Sequence, residues 1–83
     1  MSKTFKLREP VIYNGATIEA ITIREPKVRD LEAVGPALNG GNPISFNVQL
    51  ISNLSETHPE VIRELSYADF QAINDYVVSL TKN

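Results

Sequence analysis

The sequence predicts an α+β fold in which an N-terminal β-hairpin packs against three to four short α-helices. Two observations favour the hairpin: apolar residues alternate with polar ones near the N-terminus, and an Asn-Gly pair follows them. A third favours the helices, because apolar residues after residue 26 recur at helical spacing. The chain has 83 residues, the size of one small domain, so we predict a single domain over residues 1–83.

The predicted hairpin turns at Asn14-Gly15, a pair that favours a type I′ turn. The returning strand covers residues 16–23, where the apolar residues change phase. We therefore expect a β-bulge near Glu19-Ala20 that restores a common apolar face. A hairpin buried on both faces is the alternative. The odd-numbered apolar residues of the first strand are Phe5, Leu7, Val11 and Tyr13.

Pro10 lies inside the first predicted strand. Because proline has no N–H to donate to a ladder, it indicates an edge strand whose bare side faces outward. The simpler interpretation is that Pro10 blocks unwanted strand pairing. The alternative is that this edge is a docking strand for a partner.

Pro26 predicts the start of the first helix, since its missing N–H is harmless there. We place Asp30 on the polar, outer face of this helix. Gly35-Pro36 predicts its end, and residues 37–41 then form a linker. The apolar face predicted to be buried carries Val28, Leu31 and Val34.

The second helix is predicted from residue 43 to about residue 54, with Asn42 as its N-cap. Residues 33–55 contain no charged side chain. A helix of this kind is usually central and buried, but its second apolar stripe could instead be reserved for another chain. One stripe carries Ile44, Val48, Ile51 and Leu54, and the second carries Phe46 and Leu50.

Two more helices complete the predicted fold. Residues 57–60, Thr-His-Pro-Glu, fit a capping box in which Thr57 accepts at the start of a short helix that ends near Glu64. Ser66 is predicted to cap the last helix, supported by Asp69 three residues later. The buried face of that helix is predicted to carry Phe70, Ile73, Val77 and Leu80.

The composition excludes most catalytic and metal chemistry. Without cysteine the chain has no disulfide, thiolate metal site or thiol nucleophile. The single histidine, His58, is interpreted as a surface residue at a helix start. Glu56, Glu60 and Glu64 recur every four residues, but no second cluster completes a cation shell. We predict no catalytic, cofactor-binding or metal-binding residue, and hence a binding protein rather than an enzyme.

Charge is unevenly distributed along the sequence. Residues 1–30 carry six basic and four acidic side chains, whereas residues 31–83 carry two basic and six acidic ones. Residues 59–80 resemble a helix-turn-helix, but Asp69 and Asp75 in its second helix would repel phosphates. A small DNA-binding regulator is therefore the weaker alternative, and we expect no nucleic-acid partner. No segment resembles a signal peptide or a membrane span, so we expect a cytoplasmic protein without membrane contact.

Residues 21–26, 11–15 and 65–70 hold three short motifs, and these resemble motifs of the phage tail assembly chaperones of Mu-like and related contractile-tailed phages (the E type). Residues 21–26, Ile-Thr-Ile-Arg-Glu-Pro, resemble the family's "LREP" signature. Residues 11–15 resemble its first strand and glycine turn, and residues 65–70 resemble its "L…DF" helix start. The resemblance extends from residue 11 to residue 80. The motif residues are Arg24, Glu25, Pro26, Asp30, Leu31, Leu65, Asp69 and Phe70.

This resemblance implies a non-enzymatic role in virion morphogenesis. Such chaperones bind the long, largely helical tape measure protein, keep it soluble until tail tube subunits polymerise around it, and are absent from the finished virion. Several relatives also have a longer, frameshifted form that recruits the tail tube protein. Because this sequence ends at Asn83 without that extension, tube recruitment is not assigned to it. We expect a protein client, and a homo-oligomer is an open option.

The uncharged segment, residues 33–55, is the predicted client surface, because charge depletion is typical of interface centres. The predicted contacts are Phe46, Leu50, Gly40 and Gly41. Filling of the core by Phe46 and Leu50 is an equally good interpretation. Arg24 and Asp30 are expected to form an ion pair or a cap between the hairpin and the first helix. A generic protein-interaction or oligomerisation domain is the alternative function.

Overall fold

A computed structural model describes residues 2–39 and 43–81 of the chain. An N-terminal antiparallel hairpin is followed by helices, which confirms the predicted α+β class. The elements are β1 (Lys3–Tyr13), β2 (Ala16–Ile23), α1 (Val28–Asn39), α2 (Pro43–Ser55), α3 (Pro59–Arg63) and α4 (Tyr67–Thr81).

The hairpin turns where the sequence predicts. Asn14 and Gly15 have φ angles of 51° and 79°, so both central residues adopt the positive φ that a type I′ turn needs. The two strands pair from Lys3 opposite Ile23 to Tyr13 opposite Ala16.

The irregularity in the hairpin lies in β1, and the bulge predicted near Glu19-Ala20 of β2 was placed wrongly. Between the pairs Lys6–Ala20 and Val11–Ile18, β1 contains residues 7–10 whereas β2 contains only Glu19. The extra residues are therefore on the first strand.

Chemistry at residues 8–10 explains why β1 carries the irregularity. Pro10 has no N–H for the ladder, and the N–H groups of Arg8 and Glu9 donate to Asp69 of α4 rather than to β2. The common apolar face expected from the predicted bulge is nevertheless present, because Ile21 and Ile23 are buried in the same core as Leu7 and Val11 of β1.

The hydrophobic core lies between the hairpin and the helices, with α2 at its centre. Helix α2 contacts β2 and all three other helices. The aliphatic composition of the core follows from a chain that has no tryptophan and six aromatic residues. The buried apolar residues are Leu7, Val11, Ile21, Ile23, Val48, Leu50, Ile51, Leu54, Val61, Ile62, Leu65, Ile73 and Val77.

Helix α1 continues through Gly35 and Pro36 to Asn39, so the predicted helix end was wrong. A proline removes one backbone donor, but its fixed φ of about −65° is close to that of an α-helix. Asn39 is the last residue described before the gap. Gly40, Gly41 and the predicted cap Asn42 lie outside the described residues.

The orientation of α1 also differs from the prediction. Asp30 is buried, whereas Val28 is 83 % exposed and Leu31 is exposed. Successive helical residues are about 100° apart, so Asp30 and Val28, two residues apart, point in nearly opposite directions. Burial of the Asp30 carboxylate therefore turns the apolar side of the first turns outward.

Helix α3 is capped by His58 and not by Thr57. The Nδ1 atom of His58 accepts a hydrogen bond from the N–H of Glu60 at 3.1 Å. The Thr57 hydroxyl instead donates to the Ser55 carbonyl. His58 is exposed, as predicted, and its ring stacks on Tyr13 with the centroids 5.3 Å apart.

We expect His58→Ala to lower the free energy of unfolding by about 1 kcal/mol, the usual value of an N-cap. His58→Asn is the matched control, since asparagine keeps a cap acceptor while it also removes the ring from Tyr13. Urea denaturation compares the two variants. Equal stabilities for the alanine and asparagine variants would contradict a capping role.

Candidate functional site

An apolar groove lies between α2 and α4, with α3 at its base. Its volume is about 250 Å³. It continues past Phe70 toward Asn74 and Asp75 of α4. We call this surface the α2–α4 groove, and its walls include Ile44, Val48, Ile62, Arg63, Tyr67 and Phe70.

Two large apolar side chains on the walls of the groove are exposed. Tyr67 is 72 % exposed and Ile44 is 59 % exposed, and both border the two parts of the groove. Single exposed apolar residues are common on protein surfaces. Two exposed apolar side chains that border one groove, with the half-buried Phe70 beside them, are typical of a binding surface.

The first turn of α4 positions the two aromatic side chains of the groove, Tyr67 and Phe70. The Ser66 hydroxyl accepts the N–H of Asp69 at 3.2 Å, which confirms Ser66 as a cap. Tyr67 and Phe70 are three residues apart, so they lie on the same side of the helix. Asp69 points away from them toward β1.

The charges of the groove are confined to its two ends. At the α3 end, Arg63 forms an ion pair with Glu60. At the α4 end, Asp75 forms no ion pair with the residues that the structure describes. Beside it, the buried Oδ1 atom of Asn74 accepts no hydrogen bond from them either. That end therefore offers the exposed Asp75 carboxylate to a partner's donor group.

The lining of the groove is mostly apolar. Within residues 2–39 and 43–81, no three His, Asp or Glu side chains are arranged to hold a metal ion. None of the helices described there combines the length and apolar character needed to cross a membrane.

The predicted ion pair between Arg24 and Asp30 is present and bidentate. Arg24 Nη1 and Nη2 lie 2.8 Å from Asp30 Oδ2 and Oδ1 respectively. Asp30 also accepts the N–H of Lys27 at 2.7 Å, so it caps the start of α1. The hydrogen bond from Arg24, reinforced by that from Lys27, lowers the pKa of Asp30 from 3.8 to about 2 despite burial.

Arg24 also ties β2 to α2. Its backbone N–H donates to the Leu54 carbonyl at 3.1 Å, and its Nη2 donates to the Asn53 carbonyl at 3.2 Å. Because the same side chain holds Asp30, one arginine connects the end of β2, the start of α1 and the end of α2.

Asp69 has a role that the sequence does not reveal. Its buried carboxylate accepts the N–H of Arg8 at 3.0 and 3.1 Å and that of Glu9 at 3.2 Å. The Ser66 hydroxyl also forms a hydrogen bond with this carboxylate, which agrees with the predicted support of the cap by Asp69. Burial raises the pKa of Asp69, but the hydrogen bonds from Arg8, Glu9 and Ser66 and the charge of Arg8 together outweigh it, so the pKa lies below its ordinary value.

Of the predicted client residues, the structure describes Phe46 and Leu50, whereas Gly40 and Gly41 lie outside the described residues. Leu50 is only 2 % exposed and belongs to the core, so a client could contact it only if the core opened. Phe46 is partly buried against that core. Sequence reasoning assigned Ile44 to the buried stripe of α2 and gave Tyr67 no binding role. The position of Tyr67 inside the third motif is the signal that could have pointed to it.

The fold and the groove define a small α+β protein whose most distinctive surface is suited to binding another polypeptide. The chain belongs to the family described as phage tail assembly chaperone proteins, E, or 41 or 14, whose sequence model matches residues 4–82. This confirms the resemblance carried by the motifs and extends it to nearly the whole chain. Membership indicates a non-enzymatic role with a protein partner in tail assembly. Comparisons with curated proteins and with solved structures gave no match.

Proposed function

We propose that the protein binds the tape measure protein of a phage tail and keeps it soluble during tail morphogenesis. It acts in the cytoplasm of the bacterial host and leaves before the virion is complete. The α2–α4 groove, with its exposed apolar walls, is the observation that carries the proposal, and it replaces the predicted surface around Leu50 as the client site.

The shape of the groove supports a helical client segment. Two neighbouring helices present a furrow into which the side chains of a third helix pack. Amphipathic helices bind such furrows through apolar residues spaced three and four apart. A largely helical client, as the family resemblance implies, would supply segments of this kind.

The apolar walls supply the binding energy in this proposal. Burial of one large apolar side chain stabilises a contact by about 1.5–3 kcal/mol. Tyr67 and Ile44 would together contribute more than a factor of ten in affinity, since about 1.4 kcal/mol corresponds to tenfold. The uncharged α2 wall adds no desolvation penalty for ionised groups.

Co-expression with the tape measure protein of the same phage or prophage tests the proposal. We expect the wild-type chain to co-purify with the tape measure protein and to raise its soluble fraction. The double variant Ile44→Ser, Tyr67→Ser should lower the affinity at least tenfold, because it removes the two exposed apolar side chains of the groove.

Ile12→Ser is the matched control. Ile12 is 74 % exposed, as exposed as Tyr67, but it lies on the hairpin and does not border the groove. It should leave binding unchanged. Full binding by the groove variant would refute the assigned surface, and a wild-type chain that neither binds nor solubilises the tape measure protein would refute the function.

A further inference from the structure

We propose that the α2–α4 groove selects amphipathic helices that carry a lysine or arginine about two helical turns from their apolar anchor. The inference deepens the proposed function and rests on it for the identity of the client. What it adds is the chemistry of the client segment, which is apolar at the α3 end of the groove and basic at the other end.

The groove consists of an apolar part and a polar part. Aliphatic and aromatic side chains line the part next to α3, together with one charged residue, Arg63. The other part is lined by the amides of Asn47 and Gln71 and by the carboxylate of Asp75. Because both parts share lining residues, one helix is able to occupy them together. The shared residues are Ile44, Tyr67 and Phe70.

Asp75 supplies the uncompensated charge of the groove. Its side chain is exposed and forms no ion pair with the described residues. The other lining charge, Arg63, is already paired with Glu60. The opposite wall, α2, contains no charged side chain. A cation on a bound helix would therefore be attracted to Asp75, whereas an anion at the same position would be repelled.

The spacing along α4 sets the position of the basic residue on the client. Tyr67, Gln71 and Asp75 follow one another at intervals of four residues and lie along one side of the helix. Tyr67 and Asp75 are about 12 Å apart along the helix axis. A client helix that lies beside α4 has the same rise per residue. Its basic residue is therefore about eight positions from the apolar residue that packs against Tyr67.

The two parts of the groove have different roles in this proposal. Apolar burial beside Tyr67 and Ile44 provides the affinity, while the Asp75 carboxylate determines which segment binds and in which register. Lysine and arginine suit this end because their methylene groups pack on neighbouring side chains while the charged group reaches the carboxylate. A long helical client with many apolar stripes would thus be bound at those stripes that carry the basic residue.

Two synthetic peptides test the inference on the purified chain. Each has about 20 residues, enough to form a helix, and leucines spaced three and four apart. The first carries lysine eight residues before and eight residues after its central leucine, so either direction of binding brings a lysine to Asp75. The second carries glutamate at both positions. By fluorescence anisotropy, the wild type should bind the lysine peptide about fivefold more tightly than the glutamate peptide. This preference should disappear at about 1 M salt, which screens exposed charges.

Charge variants assign the preference to one residue. Asp75→Asn should bind both peptides with equal affinity, and Asp75→Lys should prefer the glutamate peptide. Glu19→Lys makes the same charge change at an exposed position on β2 that lines neither part of the groove, so it should keep the preference for lysine. Circular dichroism spectra should be unchanged in all three variants. Equal wild-type affinity for the two peptides, no binding of either, or a preference that persists in both Asp75 variants would each overturn the proposal.

The peptide assay and the co-expression experiment fail independently. If the wild type prefers the lysine peptide but does not bind the tape measure protein, the charge preference of the groove stands and the proposed function fails. If the wild type binds the tape measure protein but does not distinguish the peptides, the proposed function stands and this inference fails.

Discussion

Asp69→Asn is expected to lower the free energy of unfolding by about 2–4 kcal/mol. The carboxylate accepts hydrogen bonds from two backbone N–H groups, and a hydrogen bond to a charged group contributes about 1.5–3 kcal/mol. Asparagine has the same shape, but its NH₂ group replaces one carboxylate oxygen. A donor then faces the backbone N–H donor of Arg8 or Glu9. Domains of this size have about 5–15 kcal/mol of stability in total.

Urea denaturation at neutral pH measures this effect. Asp75→Asn is the control on the same helix, because the Asp75 carboxylate accepts no hydrogen bond from the described residues and its loss should change stability by less than about 0.5 kcal/mol. Similar effects for the two variants would contradict the role assigned to Asp69. A folded Asp69→Asn protein should also bind its client more weakly, because Asp69 anchors the helical turn that carries Tyr67 and Phe70.

Arg24→Met is expected to destabilise the fold by about 3–5 kcal/mol, the usual result when a buried charge, here that of Asp30, loses its ion-pair partner. Asp30 stays buried and loses two hydrogen bonds at 2.8 Å, while the links from Arg24 Nη2 to Asn53 and from its Nε to Glu56 also disappear. Arg63→Met is the comparison, since the exposed pair of Arg63 with Glu60 should contribute no more than about 1 kcal/mol.

The pH dependence of stability gives a second measurement of the same pair. The pKa of Asp30 is about 2 in the folded protein and 3.8 in the reference state. A lowered carboxyl pKa adds stability that is fully present above about pH 4 and is lost as the pH falls toward about 2. Asp69, with its lowered pKa, adds to the loss in the acid range.

The variant Asp30→Asn measures how much of the stability lost at low pH comes from Asp30. The free energy of unfolding of the variant, measured with urea from neutral pH down to about pH 2, should fall less steeply than that of the wild type. Parallel curves for the two proteins would show that the Arg24–Asp30 pair does not contribute.

Local signals in the sequence identified the elements of this fold correctly. Asn14-Gly15 specified the turn, and Ser66 specified the start of α4, because each acts on backbone groups within three residues of itself. The ion pair between Arg24 and Asp30 was also predictable, since only five residues separate the two at a strand-to-helix junction. The choice of His58 over Thr57 as a cap was not, because both are able to accept a hydrogen bond.

Features that depend on distant partners were missed. The bulge lies in β1 because Asp69, about 60 residues away, accepts the N–H groups of Arg8 and Glu9. Helical periodicity predicted Asp30 on the solvent-facing side of α1. Periodicity contains no information about Arg24, whose ion pair makes burial of the Asp30 carboxylate favourable. Ile44 is exposed because α4 packs beside α2 without covering its first turn, a matter of tertiary packing.

The irregular stretch of β1 affects whether copies of the protein can pair with one another through their strands. Arg8 and Glu9 have donated their N–H groups to Asp69, and Pro10 has none, so three consecutive residues offer no free backbone donor. A strand with such a gap is a poor template for a growing intermolecular sheet, the route by which concentrated β-proteins form fibrils. Contacts between copies at this stretch of β1 would therefore be made by side chains.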